Sequence, residues 1–137
     1  MRTGLRIRGE KVHPEVRESS IRFAKWLRTN HSFPVRVPVY LSPRCKLKSR
    51  SGEMVFGTFF EPYDKNVEPY IRVATGDYLQ DKQKLGKDNA LAGILGTLAH
   101  EVVHYFQWID DEMTAEAEVI ICADDILDRY ADAVDHP

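Results

Sequence analysis

The sequence predicts an α+β domain with an N-terminal helix, a small antiparallel sheet of three to four strands, a central helix and a C-terminal helix. Residues 14–30 repeat apolar positions with a helical period, residues 33–41 alternate apolar and other side chains, and residues 88–108 are apolar on every side. The chain has 137 residues and is 43% hydrophobic, which suits one core of modest size. We therefore expect a single domain over residues 1–137.

The first half of the chain is predicted to form one helix and then the strands. The helix begins at Pro14, a residue suited to a first helical turn, and ends near Asn30. Residues 33–41 have the period of a half-buried strand, and Pro38 favours an edge or irregular position for it. The remaining strands are separated by turn residues and are predicted over residues 45–50, 54–61 and 69–75.

The second half is predicted to be helical. Residues 77–87 are polar and indicate a loop, after which Asp88 or Asn89 can cap a helix that runs to about Trp108. Apolar side chains encircle this helix, so we expect it at the centre of the domain. A last helix is predicted over residues 113–134.

Composition favours a cytoplasmic protein without a membrane partner. No stretch approaches the roughly 20 apolar residues that a membrane-spanning helix needs. The first residues also lack the apolar core of a signal peptide. Cys45 and Cys122 are far apart in the sequence and outside any metal-binding spacing, so we expect reduced thiols with packing roles.

Charge is distributed unevenly along the chain, although the net charge is only −2. Residues 1–50 contain 13 Lys/Arg and 3 Asp/Glu, whereas residues 51–137 contain 6 and 18. Two interpretations follow. In the first, which we prefer, the two halves pack together and partly neutralise each other's charge. In the second, residues 1–50 contact nucleic acid or another acidic partner.

Residues 100–104 read His-Glu-Val-Val-His, an HExxH motif on the predicted central helix. The four-residue spacing places His100 and His104 on one helix face, where both can bind one metal ion, for which we expect Zn²⁺. Glu101 is offset from them and can act as general base toward water at the metal. A pair of structural core histidines is the alternative. Burying two histidines and a glutamate without a metal or partners is costly, so we prefer the metal site.

A catalytic zinc site needs a third protein ligand and an open position for water. Gln107 and Asp110 stand where the longer HExxHxxGxxH pattern has glycine and histidine, so the last helix is the better source. At about 100° per residue, Glu116 falls within about 30° of the centre of the apolar stripe, whereas Glu118 shares the polar face. Glu112 also points inward, at or before the first turn. We expect Glu116 and keep Glu112 and Glu118 as alternatives.

Two segments carry a family resemblance. Residues 95–108 (LGTLAHEVVHYFQW) followed by residues 114–130 (TAEAEVIICADDILDRY) resemble the end of a small gluzincin, the peptidase class with an HExxH motif and a downstream glutamate. The order of helix, sheet and HExxH helix is similar to the minimal zincin core of the ImmA/IrrE-like, SprT-like and minigluzincin groups. Glu116 matches the first glutamate of an ExExA-like signature, although Val119 stands where a small residue is usual. SprT-like enzymes typically use a third histidine, and here no histidine occupies a comparable place before His136.

The resemblance implies a minimal zincin fold and a hydrolase that cleaves peptide bonds in a peptide or protein substrate. In such a metallopeptidase zinc polarises the scissile carbonyl and lowers the pKa of water, and Glu101 takes the proton and delivers it to the leaving amine. An edge strand beside the HExxH helix pairs with the extended substrate, and residues 70–75 are our candidate. Four tyrosines could supply a hydroxyl that assists the zinc: Tyr70, Tyr78, Tyr105 and Tyr130.

Two rival functions stay open. One is a zincin-fold binding or regulatory protein that contacts nucleic acid through residues 1–50. The other is a latent enzyme in which Cys45, or the tail 132–137 with His136, occupies the fourth metal position. The intact Glu101 favours catalysis, because a binding protein has no use for the general base.

Overall fold

Helices cover one face of a four-stranded sheet, and a two-stranded ribbon contacts the other face. The computed structural model describes residues 2–112 and 115–137. In chain order the strands are β1 (Leu5–Arg8), β2 (Val37–Ser42), β3 (Leu47–Lys48), β4 (Met54–Val55), β5 (Gly57–Phe60) and β6 (Tyr70–Ala74). The helices are α1 (Pro14–Asn30), α2 (Tyr78–Leu85), α3 (Lys87–Asp110) and α4 (Glu116–Ala133).

The sheet is mixed, which corrects the prediction of an antiparallel sheet. Its strand order is β1-β2-β6-β5, with β1, β2 and β6 parallel and β5 antiparallel to β6. The sequence prediction missed β1, which pairs with β2 after the chain has crossed over through α1. Parallel neighbours need such a crossover of a dozen or more residues, and the 17 residues of α1 provide it. The α+β class is confirmed.

The edge position predicted from Pro38 is wrong, because β2 lies between β1 and β6. Val37 donates its N–H to the carbonyl of Gly4 on the β1 side, so the nitrogen of Pro38 faces the other way. Pairing with β6 begins only at Val39, opposite Ile71. Proline has no N–H to donate, and Pro38 lies just before the first residue of β2 that pairs with β6, so no hydrogen bond of the sheet is lost.

The core lies between the sheet and the helices. Inward-facing strand residues meet the apolar sides of α1, α3 and α4 in one cluster that extends from Leu5 to Tyr130. As predicted, α1 begins at Pro14 and α3 is the central helix, with buried side chains on most of its circumference. The predicted loop over residues 77–87 is wrong, because most of it forms α2, which is anchored by the buried Tyr78.

The last helix is seen from Glu116 onward, and its predicted start near Met113 lies outside the described residues. The sequence predicts a buried stripe on this helix formed by Val119, Ile120, Ala123, Ile126, Leu127 and Tyr130. Four of these residues are buried, whereas Leu127 is half-buried and Ile120 is 47% exposed. Both cysteines are exposed, so the packing roles expected for them are wrong. Among the described residues, no helix has the length and hydropathy of a membrane span.

Glu15 joins α1 to α2 and to the start of α3. Its carboxylate accepts hydrogen bonds from Lys82 Nζ and from the hydroxyl of Tyr78, both at 2.8 Å, and lies 3.3 Å from Lys87 Nζ. These contacts lower the pKa of Glu15 from 4.5 to about 2, and the hydrogen bond from Lys82 has the largest effect, followed by that from Tyr78. The ionised carboxylate therefore stabilises the folded state.

We predict that Glu15→Gln lowers the free energy of unfolding at neutral pH. A depressed folded-state pKa adds stability that is fully present above pH 4.5 and is lost as the pH falls through about 2. The difference between the variant and the wild-type protein should therefore shrink between those two values. Urea unfolding at several pH values measures it. Glu18→Gln is the control, because Glu18 lies on the same helix and, within residues 2–112 and 115–137, forms an ion pair only with the exposed Arg22. Equal stability of Glu15→Gln and wild type at pH 7 would contradict the network.

Candidate metal centre

The two histidines of the motif lie one turn apart on α3, and both present their Nε2 atoms to Glu116 at the first turn of α4. His100 Nε2 is 2.6 Å from one carboxylate oxygen of Glu116, and His104 Nε2 is 3.7 Å from the other. The imidazoles are half-buried, with side-chain exposures of 25% and 30%. The structure therefore brings together the three residues that the sequence selected as metal ligands.

A turn closes the end of α3. Asp111 adopts a left-handed conformation with φ of 55°, which aspartate tolerates better than most residues. The N–H groups of Asp111 and Glu112 both bond to the carbonyl of Gln107. α4 then packs along α3, and a Cβ placed on Gly96 would contact the side chain of Leu127 at 3.6 Å. Since Gly96 precedes His100 while Leu127 follows Glu116, the two helices are antiparallel.

Gln107 also orients one of the histidines. Its side-chain oxygen lies 3.1 Å from Nδ1 of His104. An amide oxygen only accepts hydrogen bonds, so this contact favours the neutral tautomer of His104 that has its proton on Nδ1, in which Nε2 can bind a metal. A hydrogen bond of this kind is the usual support of a metal-binding histidine. The sequence prediction did not assign this role to Gln107, although its position three residues after His104 places both on one helix face.

Glu101, which follows His100 in the sequence, is buried, with only 7% of the residue exposed. Gly57 on β5 makes room for it, because a Cβ there would lie 3.1 Å from Cγ of Glu101 and 2.7 Å from Cγ2 of Thr97. Burial, and secondly the negative charge of Glu116, raise the pKa of Glu101 to about 7. A carboxyl group with this pKa can exchange a proton near neutral pH, as a general base must. The sequence prediction missed Gly57, since nothing in the local pattern reveals a strand's distance from a helix.

The donor atoms fit a single zinc ion. The ligand atoms of His100, His104 and Glu116 lie within 4.8 Å of one another. The three side chains could hold a single zinc ion between them, for which the 2.6 Å contact between His100 Nε2 and the Glu116 oxygen would have to lengthen. Two imidazoles and one carboxylate are a common ligand set of catalytic zinc.

The two alternative carboxylates are not part of this group. Glu118 and Glu112 are exposed and line a separate groove between α3 and α4. Glu116 itself is 61% exposed at the end of its helix, so the prediction that it lies within a buried stripe is wrong. Its direction toward the histidines follows from the turn at Asp111 and the antiparallel packing of α4.

The other candidate side chains lie elsewhere. His13 caps α1, His31 packs on Trp26 and Phe106, and His136 pairs with Asp88. The candidate tyrosines make contacts elsewhere. The hydroxyl of Tyr78 donates to Glu15, and that of Tyr105 donates to the carbonyl of Val35. The ring of Tyr130 packs against Phe23, and that of Tyr70 stacks on Phe60 at the outer face of the sheet.

We predict that Gly57→Ala destabilises the protein by about 1–3 kcal/mol, because the new methyl group must displace Thr97 or Glu101. Adding Thr97→Ser removes the closer contact atom and should recover part of the loss. Gly93→Ala is the control, since nothing lies within 4 Å of its Cβ position and alanine favours a helix by about 1 kcal/mol. Denaturant unfolding of the variants, measured without metal, checks the order. A Gly57→Ala protein as stable as wild type would show that β5 and α3 are not in close contact.

In comparisons with known proteins, no family model, curated protein or solved structure matches the chain.

Proposed function

We propose that the protein is a zinc-dependent peptidase of the gluzincin type. The observation that carries the proposal is the convergence of His100, His104 and Glu116 beside the buried Glu101. A zinc ion held there would supply a Lewis acid for the scissile carbonyl and would make water more acidic. The minimal zincin fold inferred from the sequence is part of the same proposal.

Side chains of the protein then transfer the proton. Glu101 accepts a proton from the attacking water on a carboxylate oxygen and returns it to the nitrogen of the leaving amine. Its burial next to Gly57 restricts the positions that the carboxylate can occupy. Gln107 holds the ring of His104 in the orientation that points Nε2 at the site.

The candidate substrate strand has to be changed. Residues 70–75 were expected at an edge, but β6 lies between β2 and β5, so β5 is the edge strand next to α3. Ala74 donates its N–H to the carbonyl of Phe56, and the pattern alternates along an antiparallel pair. The backbone groups of Gly57 and Phe59 therefore point to the free edge. An extended peptide that pairs with them passes beside Glu101.

The rival functions have less support. A structural zinc site uses four protein ligands, whereas the group found among the described residues has three. For a latent enzyme, His136 is paired with Asp88 at 2.8 Å, and Cys45 contacts Asp77. Both residues are engaged away from the histidines. The free, exposed thiols fit a reducing compartment, and we propose the cytoplasm.

We predict that Glu116→Ala weakens zinc binding strongly, whereas Glu118→Ala does not. Removing Glu116 leaves two neutral imidazoles to hold a dication. The two variants are well matched, since both residues are exposed carboxylates in the first turn of α4 and lose the same charge. Zinc retention during titration with a chelator distinguishes them. Equal retention in both variants would remove Glu116 from the ligand set, and retention in a His100→Ala/His104→Ala double variant would remove the whole site.

We predict that Glu101→Gln keeps zinc and fold but loses at least about a hundredfold in peptide hydrolysis, because the amide preserves shape and cannot accept the proton. Activity is read by mass spectrometry on a mixed peptide library, and zinc content is measured on the same sample. Glu118→Gln is the control for an acidic residue outside the proposed machinery. A wild-type protein that holds zinc and cleaves no peptide would favour the binding protein over the enzyme.

A further inference from the structure

The outer face of the four-stranded sheet, on the side away from the helices, combines arginines with aromatic rings. Strand side chains alternate between the two faces, and the residues that point to the core on β1, β2 and β6 are apolar and, apart from the half-buried Ile7, buried. The outer-face residues considered below are Arg6, Arg8, Tyr40, Thr58, Phe60, Tyr70 and Arg72.

One row crosses all four strands at this face. In the register of the sheet Arg8 is opposite Tyr40, Tyr40 is opposite Arg72, and Arg72 is opposite Thr58. Neighbouring strands are about 4.8 Å apart, so each arginine lies next to the tyrosine. Tyr40 is 46% exposed, a large fraction for an aromatic residue in the middle of a sheet. The register therefore places this exposed ring between two arginines, of which Arg72 directs its guanidinium toward Thr58 and Lys48.

The row continues into a groove beneath the β3–β4 ribbon. The ring of Tyr70 lies 6.0 Å from that of Tyr40 and stacks on Phe60 at 5.0 Å, and the guanidinium of Arg50 lies 5.0 Å from the centre of Phe60. The groove has a volume of about 570 Å³ and is lined by Arg50, Phe60, Tyr70 and Arg72, while Tyr40 lies outside it. Two acidic residues, Glu53 and Glu61, also line it. Aromatic rings and cations thus extend from β1 to the open edge of the sheet.

These cations lack acidic partners. In the described part of the chain, none of Arg6, Arg8, Arg50 and Arg72 lies within 4.0 Å of a carboxylate. Arg72 bonds only to neutral acceptors, the hydroxyl of Thr58 and the carbonyl of Lys48. Among the described residues three ion pairs join the two halves of the chain, and in only one of them, Arg36 with Glu68, does the cation come from residues 1–50.

We propose that this outer sheet face, defined by Arg8, Tyr40, Arg72, Phe60 and Arg50, binds single-stranded nucleic acid. Uncompensated arginines attract phosphates, and exposed rings provide stacking surfaces for unpaired bases. A duplex keeps its bases stacked inside the helix and cannot use the rings. The face lies on the opposite side of the sheet from His100 and Glu101, so the inference is independent of the peptidase proposal.

The test is fluorescence anisotropy of a labelled oligothymidine of roughly 12 nucleotides, within the length range that single-strand sites bind, with the full chain at low salt. Tyr40→Ala should weaken binding by about tenfold, as expected for one lost stacking contact. Tyr40→Phe should bind like wild type, because it keeps the ring. Arg8→Gln should weaken binding and reduce the slope of log affinity against log salt by about 0.7, the value for one phosphate contact.

Arg129→Gln is the matched control, because it removes one positive charge from an exposed position on α4, where Arg129 pairs with Asp125. Circular dichroism and zinc retention, measured on every variant, should stay unchanged. The proposal is overturned if wild type does not bind the oligonucleotide, or if Arg8→Gln and Arg129→Gln lose affinity equally. It is also overturned if duplex DNA or phosphatidylserine vesicles bind more tightly than the single strand.

Discussion

The antiparallel packing of α4 against α3 is the contact on which the candidate metal centre depends. HExxH spacing can place two imidazoles on one helix face, but the carboxylate comes from a different helix and has to be carried back to them. The left-handed conformation of Asp111 ends α3, and the small Gly96 lies where Leu127 packs. A change in either feature would move Glu116 relative to both histidines without altering a ligand.

Gln107 connects this turn to the site itself. Its backbone carbonyl accepts the N–H groups that close the end of α3, while its side chain holds the ring of His104. The same residue therefore contacts both the end of α3 and one of the two imidazoles.

Burying the carboxylate of Glu101 is unfavourable in free energy, and the packing of the rest of the core has to offset it. A carboxylate in an apolar setting favours the neutral form, which is why its pKa rises to about 7. Gly57 allows β5 to approach α3 closely enough to cover this carboxylate, and β5 still keeps one edge free of other strands. The opposite face of the sheet has a different character, because its arginines and rings face solvent and take no part in the core.

Sequence alone determined the elements that depend on local patterns. The helix from Pro14 to Asn30 follows from its period and its proline, and the central helix follows from its apolar circumference. The spacing within residues 100–104 selected the two histidines and Glu101, since helix geometry is the same in every protein. The choice of Glu116 also came from helical periodicity, although the burial assumed for it was wrong.

Only the tertiary structure decided what depends on contacts between distant residues. Strand direction and order were not predictable, because β1 is four residues long and its pairing with β2 is set by the path of α1 over the sheet. For the same reason the edge strand was assigned to residues 70–75 rather than to β5. The closeness of Gly57 to Glu101 and the row from Arg8 to Thr58 bring together residues that are far apart in the chain. Local periodicity contains no information about such distances, since they arise from how the elements pack.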